Sequence, residues 1–391
     1  SQATIMGNAP FSVTLKEEGT LVKSQADTPL KFFFISTPTA MVAILQGIKE
    51  FRAAKPLFLK TDNVSTGSFL IKGARMTRMT QNIQSDLQVR GTLTLIPKQE
   101  GFILVNEVGL EEYLLGVLPY EIGSSSPQET IRAQAVLARS YALWRKNIDH
   151  FHKAKEDPFD LCDQVHCQVY KGVLGEMPST TQAVGDTLGE YLQQEGKSFQ
   201  IWYHASCGGM LADAARPDAK IEAARGELTA LTPLELTQFF EWSNFLNKSP
   251  EWCFEKISRF SWMRFLPIEE LNRKTNIAYP EIGALQSVAI DERGLDGRVK
   301  KIRLSGKKGS RIIDEDFAIR QALAPGGLRS SLFSMIPIQV NKKQRYFIFL
   351  GRGYGHGRGA CQTGTINQGK ENIPYSKIIK FYYPKATIEK R

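Results

Sequence analysis

Over the first 88 residues, apolar positions recur every second residue in short runs broken by turn formers. FSVTLKE (11–17), PLKFFFIS (29–36) and SFLIKG (68–73) carry this strand pattern, punctuated by NAP, EEGT and STGS. One run breaks the rhythm: AMVAILQGIKEFRAA predicts a helix over 40–54. From residue 89 the periods mix. A helix is expected over 128–147, opened by Pro127 and built of good helix formers. From 186 onward a hairpin is expected to turn at Glu195-Gly196-Lys197, and another over 285–306 at a Gly-Leu-Asp-Gly turn. Residues 216–275 read as a helical, aromatic-rich insertion, and 313–322 as a short helix. The fold class is therefore α+β: a β-rich N-terminal accessory region (1–88), then a mixed α+β core (89–391) with a central groove.

Composition narrows the class without choosing a function. With 391 residues, 42% hydrophobic and 23% charged, the chain has ample material for a buried core. Lysine and arginine exceed aspartate and glutamate by ten, which suits a polyanionic partner. The basic residues are scattered, as in KKGSR (307–311) and NKKQR (341–345), and form no stripe with interleaved aromatics, so nucleic acid is not the expected partner. The best apolar run, FFFISTPTAMVAIL (32–45), is short and broken by Ser, Thr and Pro, unlike a bilayer span.

The richest stretch is LEEYLLGVLPYEIGSSSPQETIRAQAVLARSYALW (110–144). A short apolar run delivers one carboxylate, Glu121, to the lip of a polar SSSP loop, ahead of a helix N-terminus with open N–H groups. Apolar surroundings raise a carboxylate pKa, the environment a general acid needs. GRGYGHGRGACQTG (351–364) follows an apolar YFIFL run and contains a match to the dinucleotide fingerprint. Gly369 and Pro374 interrupt the crossover helix that fingerprint requires, so nucleotide binding is set aside. The glycines instead allow close backbone approach to a ligand and hold His356 and Gln362 on a tight loop. Among the five cysteines, Cys162 and Cys167, beside His166 and downstream of His150 and His152, are spaced to share zinc with Cys207 or His204; a disulfide is the competing reading. Ser206 beside His204 raises a Ser–His–Asp triad, but no G-x-S-x-G elbow accompanies it. Trp202, Tyr203, Trp242, Trp252 and Trp262 offer sugar-stacking faces, though most fall at core spacings.

Five blocks in order carry a resemblance: LEEYL-GV-P-E with its following helix, DQVHCQVYKG (163–172), IWYHASCGGM (201–210), the 351–364 glycine run and IIKFYYP (378–384). With VRGTLTLIPKQEGFILVNEV (89–108) before them, they resemble the SpoIID/LytB family of cell-wall proteins. The resemblance implies a lytic transglycosylase that cleaves peptidoglycan glycan strands, denuded of stem peptides, after N-acetylmuramic acid to leave 1,6-anhydro ends. Glu121 would be the general acid and base, lying on one wall of the groove, with His356 and Gln362 on the other. Gln134, Arg139, Tyr141, His204, Ser206, Gly355 and Gly357 would contact substrate. The proposed chemistry needs no cofactor, zinc being a candidate at the cysteines. An N-acetylmuramoyl-L-alanine amidase is the implied protein partner and the cell envelope, outside the cytoplasm, the implied location. The chain opens on Ser1, as a processed product would. Two departures touch substrate range: Cys361 stands where the family commonly has Ser, and Thr363 where it has Tyr. The rival readings are a non-catalytic wall-binding, amidase-stimulating module and a zinc-dependent wall hydrolase.

Overall fold

The structure, a computed structural model, describes residues 2–15, 19–35, 41–46, 49–63, 65–78, 81–98, 101–148, 157–212, 261–294, 296–340 and 343–391. Two compact units divide the chain, one of residues 1–200 with 387–391 and one of residues 201–386.

The first unit opens with two antiparallel sheets. The strands are β1 (Gln2–Gly7), β2 (Phe11–Leu15), β3 (Gly19–Ser24), β4 (Leu30–Ile35), β5 (Met41–Gln46) and β6 (Lys49–Ala53). They continue with β7 (Leu57–Thr61), β8 (Ser68–Arg78), β9 (Gln81–Arg90), β10 (Thr92–Lys98) and β11 (Gly101–Glu107). One sheet runs β6-β5-β4-β1-β8-β9 and the other β11-β10-β7-β2-β3. Alternate residues of both, among them Ile5, Phe32, Ile44 and Phe69 against Phe11, Val13, Leu59 and Leu95, share one buried core. Phe11 meets Phe69 edge-on at 5.4 Å. The expected helix over 40–54 is instead the β5–β6 hairpin, with Val42 opposite Ala53 and β5 also paired to β4. Its continuous apolar run fits either period; Val42 and Ile44 are fully buried because the sheet needed them, and pairing outweighed propensity.

Among the described residues the helices α1 (Leu110–Glu121), α2 (Gln128–Asn147) and α3 (Pro178–Asp186) follow. α2 has the expected bounds. Glu129 in its first turn and Arg145 and Lys146 in its last complement the helix dipole, and twelve of its residues are buried. The turn at Gln194–Lys197 forms, with Glu195 and Gly196 both at positive φ. It does not continue as a hairpin, because β12 (Glu190–Gln193) pairs with the C-terminal strand β21 (Thr387–Lys390).

In the second unit, β13 (Tyr203–His204) pairs in parallel with β20 (Ala360–Cys361). Elsewhere β14 (Ser261–Pro267), β15 (Leu285–Arg293), β16 (Val299–Gly306), β17 (Ser310–Ile313), β18 (Phe333–Val340) and β19 (Lys343–Arg352) form antiparallel sheets β14-β19-β18 and β15-β16-β17. The 285–306 hairpin is as expected. α4 (Ile268–Ala278) and α5 (Asp316–Leu323) cover a core that includes Leu271, Ile302, Ile319, Phe333 and Phe349. α6 (Gln362–Lys370) and α7 (Tyr375–Tyr382) follow β20. Most of the expected 216–275 helical insertion lies outside the described residues. Its described part is helical only from 268, since Ser261–Pro267 pairs along β19 from Ser261↔Arg352 to Pro267↔Tyr346.

Candidate functional site

Glu121 ends α1, and the chain then turns through Gly123, where Ser126 Oγ donates to Ile122 O at 2.7 Å. Burial pushes its carboxyl pKa up, opposed by one hydrogen bond that the Val169 N–H donates to Oε1 at 2.8 Å. That amide comes from the 163–172 block, a partner the sequence did not suggest. Gly116 explains how that block reaches α1. A Cβ there would lie 2.8 Å from the Tyr170 ring and 2.9 Å from Gly172 N, while Lys171 N–H donates to Gly116 O at 3.0 Å. Tyr113 OH donates to Gln168 Oε1 at 3.1 Å, and Gln168, fully buried, donates to Ala138 O on α2 at 3.3 Å. α1, α2 and the block are thus laced around the carboxyl group. The raised pKa agrees with the apolar surroundings expected from sequence, whereas the Val169 amide was invisible there because it comes from 48 residues away.

The three α2 residues expected to touch substrate differ in what they are placed to do. Arg139 is only 1% exposed; its Nε and Nη2 fork onto the two Glu111 oxygens at 2.7 Å each, and Nη1 donates to Glu190 O at 2.8 Å. Glu111 is thereby the counter-ion of a buried guanidinium. An arginine in the middle of an Ala/Val/Leu helix face was the signal for such a partner. Gln134 is also buried, and its Nε2 has no hydrogen-bond partner among the described residues. Tyr141 OH accepts from Arg145 Nε at 2.9 Å, and burial raises its pKa.

Next to Val169 stands the first thiol cluster. One donor atom each from Cys162, His166 and Cys167 lies within 4.8 Å of the others. His166 Nδ1 is 3.5 Å from Cys167 Sγ and 3.8 Å from Cys162 Sγ. Cys167 is the acidic member, pulled down to about 6 by its hydrogen bond with Cys162 against the effect of burial, with the Arg145 charge assisting; Cys162 is pushed up to about 12. A thiolate, a second thiol and an imidazole are donors that fit zinc. No disulfide joins Cys162, Cys167, Cys207 and Cys361. His150, His152, Trp242, Trp252 and Cys253 lie outside the described residues. Cys207, expected to share this cluster, has its metal-capable neighbours in its own unit, His204 and Cys361.

The glycine loop belongs to the second unit. Gly353, Gly355, Gly357 and Gly359 all have positive φ, and a Cβ on Gly357 would strike the Arg298 guanidinium. Arg298 is 2% exposed and paired with the fully buried Asp296 at 2.9 Å; its Nη2 also donates to Cys207 O at 3.0 Å and Met210 O at 2.9 Å. This unforeseen ion pair fixes the 201–210 block beneath the loop. Tyr354 and Ser206 exchange backbone hydrogen bonds of 2.7 and 3.0 Å. His356 Nδ1 accepts from Arg358 N–H at 3.0 Å, and its ring packs at 5.1 Å on Trp202 and 5.5 Å on His204. Burial, then nearby His204 and arginines, pushes its pKa down to about 2, so it is a neutral imidazole with its proton on Nε2. Gln362 begins α6, half-buried. Ser206 is fully buried, and His204 Nδ1 bonds to Arg358 O rather than to a carboxylate, so the described residues form no Ser–His–Asp triad. Trp262 packs against Gly351 and donates to Gly353 O at 3.0 Å, a structural placement.

Comparison with known proteins agrees with this division. Residues 98–193 match the SpoIID family, described as stage II sporulation protein, and residues 213–359 match a domain of unknown function, DUF8618. An uncharacterized protein of Brachyspira hyodysenteriae is 29% identical over 300 residues, covering 76% of this chain and 71% of that protein. The amidase enhancer of Bacillus subtilis is 23% identical over 70% of this chain, which spans only 40% of that protein. Stage II sporulation protein D of Bacillus amyloliquefaciens is 23% identical, covering 73% of this chain and 75% of that protein. Residues 98–193 thus form a SpoIID domain that carries Glu121 and the first thiol cluster, and over most of its length the chain is similar to stage II sporulation protein D and to an amidase enhancer.

Proposed function

We propose that this protein is a peptidoglycan lytic transglycosylase that works at the cell envelope on denuded glycan strands. The observation that carries the reading is the Glu121 carboxyl group, buried enough to have a raised pKa and held by a hydrogen bond from the Val169 amide. Protonated Glu121 donates to the glycosidic oxygen after an N-acetylmuramic acid residue as the bond to the anomeric carbon breaks. The resulting carboxylate then takes the proton of the same sugar's 6-hydroxyl, whose oxygen bonds to that carbon and closes the 1,6-anhydro ring. Hydrolysis would call for a second placed carboxylate. Two acids of α1 and α2 are paired with arginines, Glu111 with Arg139 and Glu129 with Arg132. Internal attack needs one carboxyl group, which is what this site supplies. Incubation with purified denuded strands and mass analysis for 1,6-anhydro ends tests the reaction directly; reducing ends alone would indicate a hydrolase.

The pH dependence follows from the same group. Only the protonated form donates, so kcat/KM is expected to fall as pH rises through a pKa above the ordinary glutamate value of about 4.3. A profile flat from acid to alkaline pH would remove Glu121 from the rate equation.

In the second unit, we assign the glycine loop to sugar contact, with the neutral His356 donating from Nε2 and Trp202 beside it. His356→Ala should then cost about 1–3 kcal/mol in kcat/KM, with thermal unfolding little changed. Loss of the fold in place of activity would make it a structural histidine. Tyr141 is retained as a substrate contact, whereas Gln134 and Arg139 are packing residues. Zinc on Cys162, His166 and Cys167 would hold the turn that presents Val169 to Glu121; the chemistry itself does not pass through it. The amidase enhancer relative supports an N-acetylmuramoyl-L-alanine amidase as partner, the enzyme class that strips strands for such a lyase.

A further inference from the structure

A second group of soft donors converges in the second unit, independently of Glu121. The parallel β13–β20 pairing sets His204 opposite Cys361, and Cys207 follows three residues after His204. A ring nitrogen of His204 and the sulfurs of Cys207 and Cys361 all lie within 4.8 Å of one another. The side chains are buried, at 4%, 1% and 0% exposure. His204 Nδ1 lies 2.9 Å from Arg358 O, which fixes the ring proton on Nδ1 and leaves the lone pair on Nε2. That Nε2 is itself buried with no hydrogen-bond partner among the described residues. Backbone N–H groups of Cys207 and Gly364 donate to Cys361 Sγ at 3.3 and 3.4 Å, the latter at the start of α6, and orient the sulfur. An imidazole oriented by a carbonyl on one nitrogen, with the other stranded beside two thiols, is the arrangement of a metal ligand with its supporting hydrogen bond.

We propose that His204 Nε2, Cys207 Sγ and Cys361 Sγ bind a zinc ion. The ion would replace two thiol protons and occupy the stranded nitrogen, fastening the 201–210 block to the end of the glycine loop. The departure from serine at position 361 thereby acquires a chemical reason. Burial of all three donors suits a structural ion better than a substrate-binding one.

The full chain, reduced and stripped of metal, is titrated with cobalt(II), whose thiolate charge-transfer bands report sulfur ligation. Because Cys162 and Cys167 also offer thiols, the titration is made in a Cys162→Ser/Cys167→Ser variant. The expected result is saturation near about one equivalent, displaced by zinc and lost on adding Cys361→Ser. A folded Cys162→Ser/Cys167→Ser variant without thiolate–cobalt bands overturns the proposal. Should that variant not fold, alkylation of the wild-type chain decides: zinc should slow labelling of Cys207 and Cys361 about ten-fold or more. Equal labelling with and without zinc, or a Cys207–Cys361 disulfide in a protein that binds no cobalt after reduction, overturns it.

Discussion

Glu121→Gln is expected to lower turnover on denuded glycan strands by at least ~10²-fold, the usual worth of a general acid, while glycan binding and the fold persist. Glutamine keeps an oxygen for the Val169 amide but can neither give nor accept the proton. The same substitution should raise stability at neutral pH. The folded-state pKa of Glu121 is raised, so whatever stability the group contributes is present below the unfolded value of about 4.3 and is lost as pH rises through the folded value. Glutamine carries no charge to desolvate, so the variant should exceed wild type in urea unfolding at pH 7 and converge with it near pH 4. Activity within a few-fold of wild type would instead favour a wall-binding module that stimulates an amidase. A variant less stable at both pH values would show that burial of the carboxylate is not the governing cost.

The largest expected effect on stability belongs to Glu111. Removing it in Glu111→Ala leaves the Arg139 guanidinium buried with Glu190 O as its remaining hydrogen-bond partner among the described residues. Stripping one member from a buried pair costs about 3–5 kcal/mol; with the Glu111 side chain 32% exposed, water can partly replace it, and about 3 kcal/mol is expected. Adding Arg139→Met should recover most of the loss, because the uncompensated charge goes with it. Urea unfolding of the single and double variants measures both steps. A loss below about 1 kcal/mol for Glu111→Ala would mean that Arg139 is solvated, restoring it as a substrate contact.

Which elements were legible from sequence follows from the range of the interactions that decide them. α2 was legible because its signals are local: Pro127 before it, helix formers within it, and acids and bases at the matching ends. The 285–306 hairpin was legible for the same reason, its turn and its alternation lying within one short segment. The ordered motif blocks likewise identified the family, and with it Glu121 as the residue to test. Residues 41–53 were misread because a continuous apolar run satisfies both periods, and the choice fell to pairing with β4. Ser261–Pro267 became a strand through β19, about 85 residues on, and β12 left its expected hairpin for the C-terminal β21.

At the sites the same division holds. Sequence named the residue types, because carboxylates, thiols, imidazoles and glycines announce their chemistry wherever they stand. The tertiary structure chose their partners: Val169 for Glu121, Glu111 for Arg139, Asp296 for Arg298, and Cys361 rather than Cys162 for Cys207. Burial, pKa shifts and ligand geometry depend on distances of a few ångströms between groups far apart in the chain, and only folding sets those distances.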